Sequence, residues 1–330
     1  FGKMVEDIAL KITRVVDTSG AYCSTLFGGS GTAAVEAMIS SVVGDEDHLL
    51  IINNGSYGKR MLDIATIYGV RVTTFESSVV DPIDLDKLTT LIESADTPIT
   101  HLAAVHHETT TGLLNDINAL GEVASRYQLC FMVDAMSSFG AVPIDAIKIG
   151  VHFIAASSNK NIQGVPGVSF VVSDQEKLDS LSDQKPRTLY LDLYQQYLYF
   201  KTTRQFRFTP PVQTLYSLRQ ALVELEIEGV ENRYIRYRKM WRVLVDRMAD
   251  MGFSYRVDEK NHSCLITAFD LIDGLSFDDF HDYMYQKSFT IYPSKLADME
   301  GFRLANIGDL SEADIHGFCD LLAEYLNNKS

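Results

Sequence analysis

The stretch "IAASSNKNIQGVPGVSFVV" at residues 154–172 decides the fold, because it joins two apolar runs through a polar turn. The first run ends in a Ser-Ser-Asn-Lys turn at residues 157–160, and two glycines and a proline precede the second run. A lysine held between two buried strands is costly unless its charge has a partner or a reaction. We therefore expect Lys160 to be buried and reactive, and a Schiff base with an aldehyde is a chemistry that uses such a lysine. The alternative is a lysine in an exposed turn, which the apolar flanks argue against.

The first 175 residues alternate between strand-like and helix-like segments. Strand-like apolar runs lie at residues 48–55, 70–77, 99–108, 129–137, 151–158 and 167–174. Helical patterns lie between several of these runs, at residues 32–44, 58–69 and 117–128. Apolar strands that alternate with helices are typical of α/β proteins, so we predict a mostly parallel sheet with helices on both faces.

The pattern changes after about residue 210. A long, charged helical segment follows, and Gly229 is its expected break. Short strand-like runs and helical patterns then alternate to the end of the chain. We therefore expect a second, smaller α+β domain. We place the division near residue 230, so that the large domain covers residues 1–230 and the small domain residues 231–330.

The composition excludes several classes of protein. The 330 residues carry a net charge of −15 at pH 7 without a run of Lys and Arg, so nucleic acids and anionic membranes are poor partners. No apolar run reaches the roughly 18 residues of a transmembrane helix. The four cysteines are far apart and form no Cys-x-x-Cys pair. This spacing argues against a disulfide framework or a zinc cluster and favours a reducing, cytoplasmic location.

Two turns that follow strands carry residues suited to binding. In "LFGGSGTAAVEAM" (26–38) a glycine-rich turn opens a helix, and its backbone N–H groups, with the hydroxyls of Ser30 and Thr32, could bind a phosphate. A simple helix N-cap explains the same pattern about as well. In "LCFMVDAMSSFG" (129–140), Asp134 ends an apolar strand, where open α/β sheets bind ligands. Its carboxylate could pair with a protonated pyridine nitrogen, although a helix cap or an ion pair is the more usual role.

Two further strand ends supply hydroxyl and aromatic groups. His106 and His107, in "HHETTTGLLND" (106–116), would point to opposite faces of a strand, which is poor spacing for a metal site. The hydroxyls of Thr109–Thr111 are the better candidates for binding. In "NNGSYGKR" (53–60), Tyr57 could stack on a flat ring, although most tyrosines in such positions are surface turn residues.

The order of these segments is more informative than any one of them. A glycine-rich turn, an aromatic, a threonine cluster, a strand-end aspartate and a lysine follow one another as in fold-type I pyridoxal-phosphate enzymes. Five segments together resemble the 2-aminoethylphosphonate:pyruvate transaminase family: "VDAMSSFG", "SNKNIQGVPG", "HHETTTG", "NNGSYG" and "RFTPP". The resemblance runs from the first helix to "FRLANIGDL" (302–310).

The resemblance implies a role for each matching position. Lys160 matches the lysine that forms the Schiff base with pyridoxal 5′-phosphate, and Asp134 matches the carboxylate that pairs with the pyridinium nitrogen. Arg303 matches the arginine that holds the acidic group of the substrate. The other cofactor contacts would come from the phosphate turn, the stacking aromatic, a hydroxyl near the ring oxygen and a phosphate contact donated across a homodimer: Ser30, Gly31, Thr32, Tyr57, Thr109 and Thr209.

Two departures from the family's pattern matter. Family members begin with a segment that holds a Pro-Gly-Pro-like turn before the first helix, and this sequence starts at Phe1 without one. We expect that the numbering begins inside a longer protein. The "RFTPP" segment also has Pro210 where a small polar residue is expected, so the backbone of that loop is hard to predict.

The resemblance implies a homodimeric enzyme that transfers the amino group of 2-aminoethylphosphonate to pyruvate, giving phosphonoacetaldehyde and L-alanine. Alanine:glyoxylate and serine:pyruvate transaminases share the layout and stay open as alternatives, as does a non-catalytic domain of a longer protein. A cysteine desulfurase is disfavoured because no cysteine lies near "GFRLANIG" (301–308). A dinucleotide oxidoreductase is disfavoured because the GxGxxG pattern with its acidic partner is not matched.

Overall fold

The structure is a computed structural model that describes residues 1–294 and 300–329. The described chain forms two compact units. The first unit comprises Phe1–Ser78, Ile83–His107 and Asn115–Glu231. The second comprises Val79–Pro82, Glu108–Leu114 and the region from Asn232 onward.

The strands and helices of the described residues are numbered in chain order. The strands are β1 (Tyr22–Gly28), β2 (Leu49–Asn53), β3 (Val72–Glu76), β4 (His101–Val105), β5 (His107–Glu108), β6 (Leu113–Leu114), β7 (Cys130–Asp134), β8 (Phe153–Ser157), β9 (Val168–Asp174), β10 (Ile266–Asp270), β11 (Tyr292–Pro293) and β12 (Gly301–Ala305). The α-helices are α1 (Gly2–Arg14), α2 (Gly31–Val42), α3 (Ser56–Ile67), α4 (Leu85–Glu93), α5 (Ile117–Arg126), α6 (Ala146–Ile149), α7 (Gln175–Asp179), α8 (Leu193–Thr203), α9 (Val212–Glu228), α10 (Val230–Asp250), α11 (Phe277–Gln286) and α12 (Glu312–Lys329).

The first unit is built on a seven-stranded sheet with the strand order β1-β9-β8-β7-β4-β2-β3. The strands from β8 to β3 in this order run parallel to one another, whereas β9 is antiparallel to both β8 and β1. The prediction of an α/β protein with a mostly parallel sheet is confirmed. The reversal of β9 was not predicted, and its cause is the short connection 158–167, since a parallel crossover needs a dozen or more residues.

Apart from the edge strand β3, the strands of this sheet are largely buried on both faces, which explains their continuous apolar runs. Along β7, Phe131 and Val133 pack in one core with residues of α1, α5 and α9. The intervening Met132 packs in a second core with residues of α2, α3 and α8. Helices therefore cover both faces, and the edge where the parallel strands end is left to the loops.

The second unit contains a three-stranded antiparallel sheet with the order β10-β12-β11. Its core is aromatic, since the ring of Phe302 on β12 lies 5.6 Å from Phe253, 5.9 Å from Phe269 and 5.1 Å from Phe280 between centroids. The predicted break at Gly229 is confirmed, because α9 ends there with a left-handed φ of 79° and α10 begins at the next residue.

Two further observations concern the whole of the described chain. None of the helices within residues 1–294 and 300–329 combines the length and the apolar character needed to cross a bilayer. The four cysteines, all within these ranges, are free thiols.

Candidate active site

The carboxyl ends of β1, β2, β4, β7 and β8 lie at one edge of the seven-stranded sheet, as the strand directions require. Ligands of open α/β sheets bind at this edge. Six of the predicted site residues of the first unit lie at or just after the ends of these strands: Ser30, Gly31, Thr32, Tyr57, Asp134 and Lys160.

The glycine-rich turn after β1 has the properties of an anion site. Ser30 is the N-cap of α2, but its side chain makes no capping hydrogen bond, so it leaves the first N–H groups of the helix without that partner. A Cβ atom on Gly31 would lie 2.1 Å from Sδ of Met136, so glycine permits the close approach to the loop after Asp134. The N–H of Gly29 donates to the carbonyl of Gly167 at 2.9 Å. The turn therefore adjoins both of the loops that carry the predicted aspartate and lysine.

Asp134 is the last residue of β7 and is 5% exposed. Its Oδ1 accepts a hydrogen bond from the N–H of Met136 at 2.9 Å, which orients the carboxylate. A buried carboxylate is costly unless hydrogen bonds or a nearby positive charge compensate it. A protonated ring nitrogen is such a charge, so the position suits the predicted role.

Lys160 is exposed, so the expectation of a lysine buried between two strands is wrong. β8 ends at Ser157, and the chain turns out of the sheet before it reaches the lysine. Ser158 holds this turn, because its Oγ donates to the carbonyl of Val165 at 2.7 Å and its own carbonyl accepts from the N–H of Gly164 at 2.8 Å. The apolar flanks belong to β8 and β9 and do not cover the amine. An exposed amine at this edge is accessible to an aldehyde, and its reactivity stays a prediction.

Arg60 connects two of the predicted site residues. Tyr57 lies half-buried in the first turn of α3, and the guanidinium carbon of Arg60 lies 4.9 Å from the centroid of its ring. Nη1 of Arg60 also donates to Oγ1 of Thr32 at 3.4 Å. The sequence reasoning missed Arg60, although its three-residue spacing from Tyr57 on one helix face was an available signal.

Two buried histidines lie at the same edge, and the sequence reasoning gave them no function. His106 is 4% exposed and His107 is 2% exposed. The Nδ1–H of His107 donates to the carbonyl of Ser137 at 3.2 Å, and Nδ2 of Asn161 donates to the same oxygen at 2.8 Å. Burial lowers the pKa of His106 to about 3 and the pKa of His107 to about 4, and the positive charge of Lys160 adds to the lowering at His107. Both rings are therefore neutral at pH 7.

In the second unit, the structure brings Thr109 and Arg303 together. Thr109 is half-buried in the turn between β5 and β6, and Arg303 lies on β12. Nη1 of Arg303 donates to the carbonyl of Thr109 at 3.2 Å, and its Nε donates to the carbonyl of Pro293 at 3.3 Å. Among the described residues, no carboxylate oxygen lies within ion-pair distance of this guanidinium. The described part of the chain therefore gives Arg303 no structural ion pair.

The hydroxyls of Thr110 and Thr111 donate hydrogen bonds within the second unit. Oγ1 of Thr110 donates to the carboxylate of Glu108, and Oγ1 of Thr111 donates to the carbonyl of Val79 at 2.7 Å. These bonds hold the 108–112 turn in shape. The resemblance assigns the cofactor contact to Thr109, and that role stays a prediction.

Thr209 is exposed in the segment before α9. This segment approaches the glycine-rich turn of its own chain, because a Cβ atom on Gly28 would lie 3.4 Å from Cδ of Pro211. The hydroxyl of Tyr190 also donates to the carbonyl of Gly28, at 3.0 Å. The predicted contact of Thr209 with a cofactor across a dimer involves a second chain and stays a prediction.

The fold and this constellation agree with those of known proteins. The profile of the family aminotransferase class-V matches residues 1–287. The chain is 39% identical over 316 residues to the 2-aminoethylphosphonate–pyruvate transaminase of Salmonella paratyphi C. The aligned residues cover 94% of this chain and 86% of that enzyme. It is similar in structure to alanine–glyoxylate aminotransferase from Nostoc sp., with a TM-score of 0.91, 26% identity and coverage of 99% of this chain and 87% of that one. The pyridoxamine–pyruvate aminotransferase from Mesorhizobium loti shares the fold, with a TM-score of 0.90, 19% identity and coverage of 99% and 84%.

The chain belongs to the class-V aminotransferase family. It is an aminotransferase, and its cofactor is pyridoxal 5′-phosphate, as the resemblance implied. The residues of the first unit fit this cofactor. The glycine-rich turn offers uncapped helix N–H groups to a phosphate, Asp134 is a buried carboxylate for the ring nitrogen, and Lys160 is an accessible amine for the aldehyde.

Proposed function

We propose that this aminotransferase moves the amino group of 2-aminoethylphosphonate to pyruvate, giving phosphonoacetaldehyde and L-alanine. The observation that carries the proposal is the 39% identity, over 94% of the chain, to a 2-aminoethylphosphonate–pyruvate transaminase. Arg303 supports it, because a chain with a net charge of −15 needs a local cation to bind an anionic donor. The planar guanidinium can hold the phosphonate of the donor and the carboxylate of pyruvate or alanine in turn.

The proposed roles divide the chemistry among a few side chains. Lys160 would hold the cofactor through its Nζ until the amine of the donor replaces it there, and the Nζ freed in this way would take the proton from the amine-bearing carbon of the donor. Asp134 keeps a proton on the ring nitrogen, because its negative charge favours the protonated form. When bound, pyridoxal phosphate supplies the electron sink for this deprotonation. The phosphate is held by Ser30, Gly31, Thr32 and the Thr209 of a partner chain, Tyr57 stacks on the ring, and Thr109 donates to the ring oxygen.

The same proposal covers domain organisation and location. Residues 1–230 form the cofactor-binding domain, and residues 231–330 form the small domain that carries Arg303. The enzyme works in the cytoplasm, a reducing compartment in which its four free thiols are stable.

The proposed assembly is a homodimer. Six large apolar side chains are exposed along the segment 189–216 of the first unit, and exposed apolar surface is typical of an interface: Leu189, Tyr190, Tyr199, Phe208, Val212 and Tyr216. Mixing Lys160→Ala protein with Thr209→Ala protein tests the arrangement. A mixed dimer would hold one site in which both residues are intact, so activity should exceed that of either parent. Subunit exchange without such a gain would contradict the contribution of Thr209 across the interface.

A second candidate is an alanine–glyoxylate transaminase, which the TM-score of 0.91 and 26% identity to such an enzyme favour. The two are separated by measuring kcat/KM for 2-aminoethylphosphonate with pyruvate and for alanine with glyoxylate. We expect the phosphonate pair to be faster by at least about tenfold, since a kcat/KM ratio reports differential transition-state binding. Faster turnover of alanine with glyoxylate would establish the second candidate. Absence of turnover with both pairs of substrates would contradict both candidates.

A further inference from the structure

We propose that Arg60 is a positioning residue for the cofactor, which balances the charge of its phosphate at the glycine-rich turn and orients the hydroxyl of Thr32 toward that phosphate. This inference rests on the proposed cofactor roles of Tyr57 and Thr32. It adds a residue that neither the sequence motifs nor the resemblance pointed to.

The first argument is the geometry of the two contacts. The guanidinium carbon of Arg60 lies 4.9 Å from the ring centroid of Tyr57, within the range of a cation–π interaction. Its Nη1 donates to Oγ1 of Thr32 at 3.4 Å. The hydroxyl oxygen of Thr32 is therefore the acceptor in this bond, and its own hydrogen stays available for another acceptor. A phosphate oxygen at the turn is such an acceptor.

The second argument is the charge balance on α3. Lys59 is paired with Asp63, with its Nζ 3.3 Å from a carboxylate oxygen. For the adjacent Arg60, no carboxylate oxygen among the described residues lies within ion-pair distance. One cation of this turn is thus neutralised by the protein, and its neighbour is directed at the glycine-rich turn instead.

The third argument is that two positive features meet at the same place. The N-terminus of α2, which begins at Gly31, carries the positive end of the helix dipole. Arg60 adds a full positive charge beside Thr32, in the first turn of that helix. The positive helix end and the positive guanidinium repel each other unless an anion lies between them. A phosphate carries about −1.5 to −2 charges at neutral pH, so it is a suitable anion. Arg60 therefore complements the phosphate of the cofactor.

The test compares two ligands that differ by the phosphate alone. Pyridoxamine 5′-phosphate and pyridoxamine lack the aldehyde, so they bind the apoprotein reversibly and their affinity can be measured by fluorescence without any turnover. We expect Arg60→Gln to weaken pyridoxamine 5′-phosphate about tenfold and pyridoxamine by less than about twofold. Lys59→Gln is the matched control, since it removes one positive charge from the adjacent position, and it should change neither affinity by more than about twofold.

Two further measurements separate a charge effect from a structural one. Arg60→Lys keeps the charge but loses the planar fork, so its affinity for pyridoxamine 5′-phosphate should fall between those of the wild type and Arg60→Gln. The affinity of the wild type should also fall more steeply with added salt than that of Arg60→Gln.

A failure of the role of Arg60 can be distinguished from a failure of the proposed cofactor site. Equal weakening of both ligands by Arg60→Gln, or no weakening of either, would overturn the role of Arg60 and leave the proposed function intact. A wild-type apoprotein that binds neither ligand would overturn the proposed cofactor site and the role of Arg60 together.

Discussion

Lys160 combines exposure with the predicted reactivity. Its amine extends from a turn at the carboxyl edge of the sheet, where it can meet an aldehyde that arrives from solvent. The nearby His107 is neutral at pH 7, so it adds no second positive charge beside the amine. The exposed amine of Lys160 therefore lies near a buried histidine that carries no charge, and the predicted reactivity of this amine can be tested directly.

Replacing Lys160 with alanine should abolish covalent attachment of the cofactor and nearly all turnover. The phosphate and ring contacts are untouched, so we expect reversible cofactor binding to persist. Borohydride reduction followed by peptide mapping measures the attachment, and in the wild type the label should lie on the peptide that contains Lys160. Lys177→Ala, at an exposed position on α7, should behave as wild type. Label on a different lysine would refute the assignment.

Arg303→Lys tests whether orientation or charge alone holds the substrate. Lysine keeps the charge but cannot reproduce the planar fork or the two bonds to the carbonyls of Thr109 and Pro293. We expect kcat/KM to fall at least about tenfold, or roughly 1.4 kcal/mol, for both 2-aminoethylphosphonate and alanine.

The control for this prediction is Arg247→Lys, which alters an arginine paired with Asp320 on the surface of the second unit. It should leave kcat/KM unchanged. If Arg303→Lys processes both donors normally, or loses cofactor affinity instead, then the substrate anchor lies elsewhere.

At the scale of elements, α5 depends on a glycine. Gly121 lies in the middle of α5, and a Cβ atom there would lie 2.0 Å from the carbonyl oxygen of Ile149, at the end of α6. Because the obstacle is backbone, a side-chain rotation cannot relieve it. We expect Gly121→Ala to lower the free energy of unfolding by about 1–3 kcal/mol, measured by urea denaturation.

Gly317→Ala is the matched control, because Gly317 lies in α12 with no heavy atom within 4 Å of a built Cβ. Alanine there gains helix propensity without a clash, so the second unit should become more stable, by up to about 1 kcal/mol. If Gly121→Ala and Gly317→Ala changed the free energy of unfolding in the same direction, the predicted contact with Ile149 would not explain the effect at Gly121.

The elements were largely predictable because burial on both faces makes parallel strands continuous and apolar. The arrangement of these elements in space was less predictable from the sequence. The direction of β9 depends on the short connection 158–167, and the exposure of Lys160 depends on where the chain leaves β8, neither of which periodicity reveals. Segments 79–82 and 108–114 belong to the second unit although they lie far from it in the sequence, since unit membership is decided by contacts and not by order.

At the scale of the whole molecule, acid should destabilise the first unit through His106 and His107. Their pKa values of about 3 and about 4 lie below the roughly 6.5 of a histidine in an unfolded chain. Between pH 6.5 and pH 4 the unfolded chain takes up protons that the folded chain does not, so stability is present above pH 6.5 and is lost as the pH falls. With both histidines contributing, the unfolding equilibrium should shift by up to about a hundredfold per pH unit in this window.

The midpoint of urea unfolding, measured from pH 7.5 to pH 4.5, checks this dependence. His107→Gln removes one of the two groups and should give a shallower dependence than the wild type. His316→Gln, at an exposed position on α12, should keep the dependence of the wild type. Parallel curves for wild type and His107→Gln would show that this histidine contributes nothing to acid lability.

The site was predictable where one segment carries its own signal and not where two segments must meet. Asp134 at a strand end and the glycine-rich turn stand out in the sequence because each combines a strand with the turn that follows it. Arg60 does not, because its partner Thr32 is 28 residues away and an arginine on a helix is usually solvated. Thr209 and the homodimer stay predictions for the same reason, since they require a second chain.

The place of β1 in the sheet has a consequence for protein synthesis. This strand lies at the edge of the sheet and pairs with β9, which begins at Val168. On the ribosome, β1 therefore emerges long before its partner exists, and at about 5–20 residues per second the delay is roughly 7 to 28 seconds. During that time Leu26 and Phe27, which are buried in the finished sheet, have no strand to pair with. Until β9 has been made, β1 is thus an unpaired apolar strand on the growing chain, a kind of segment that chaperones protect from aggregation.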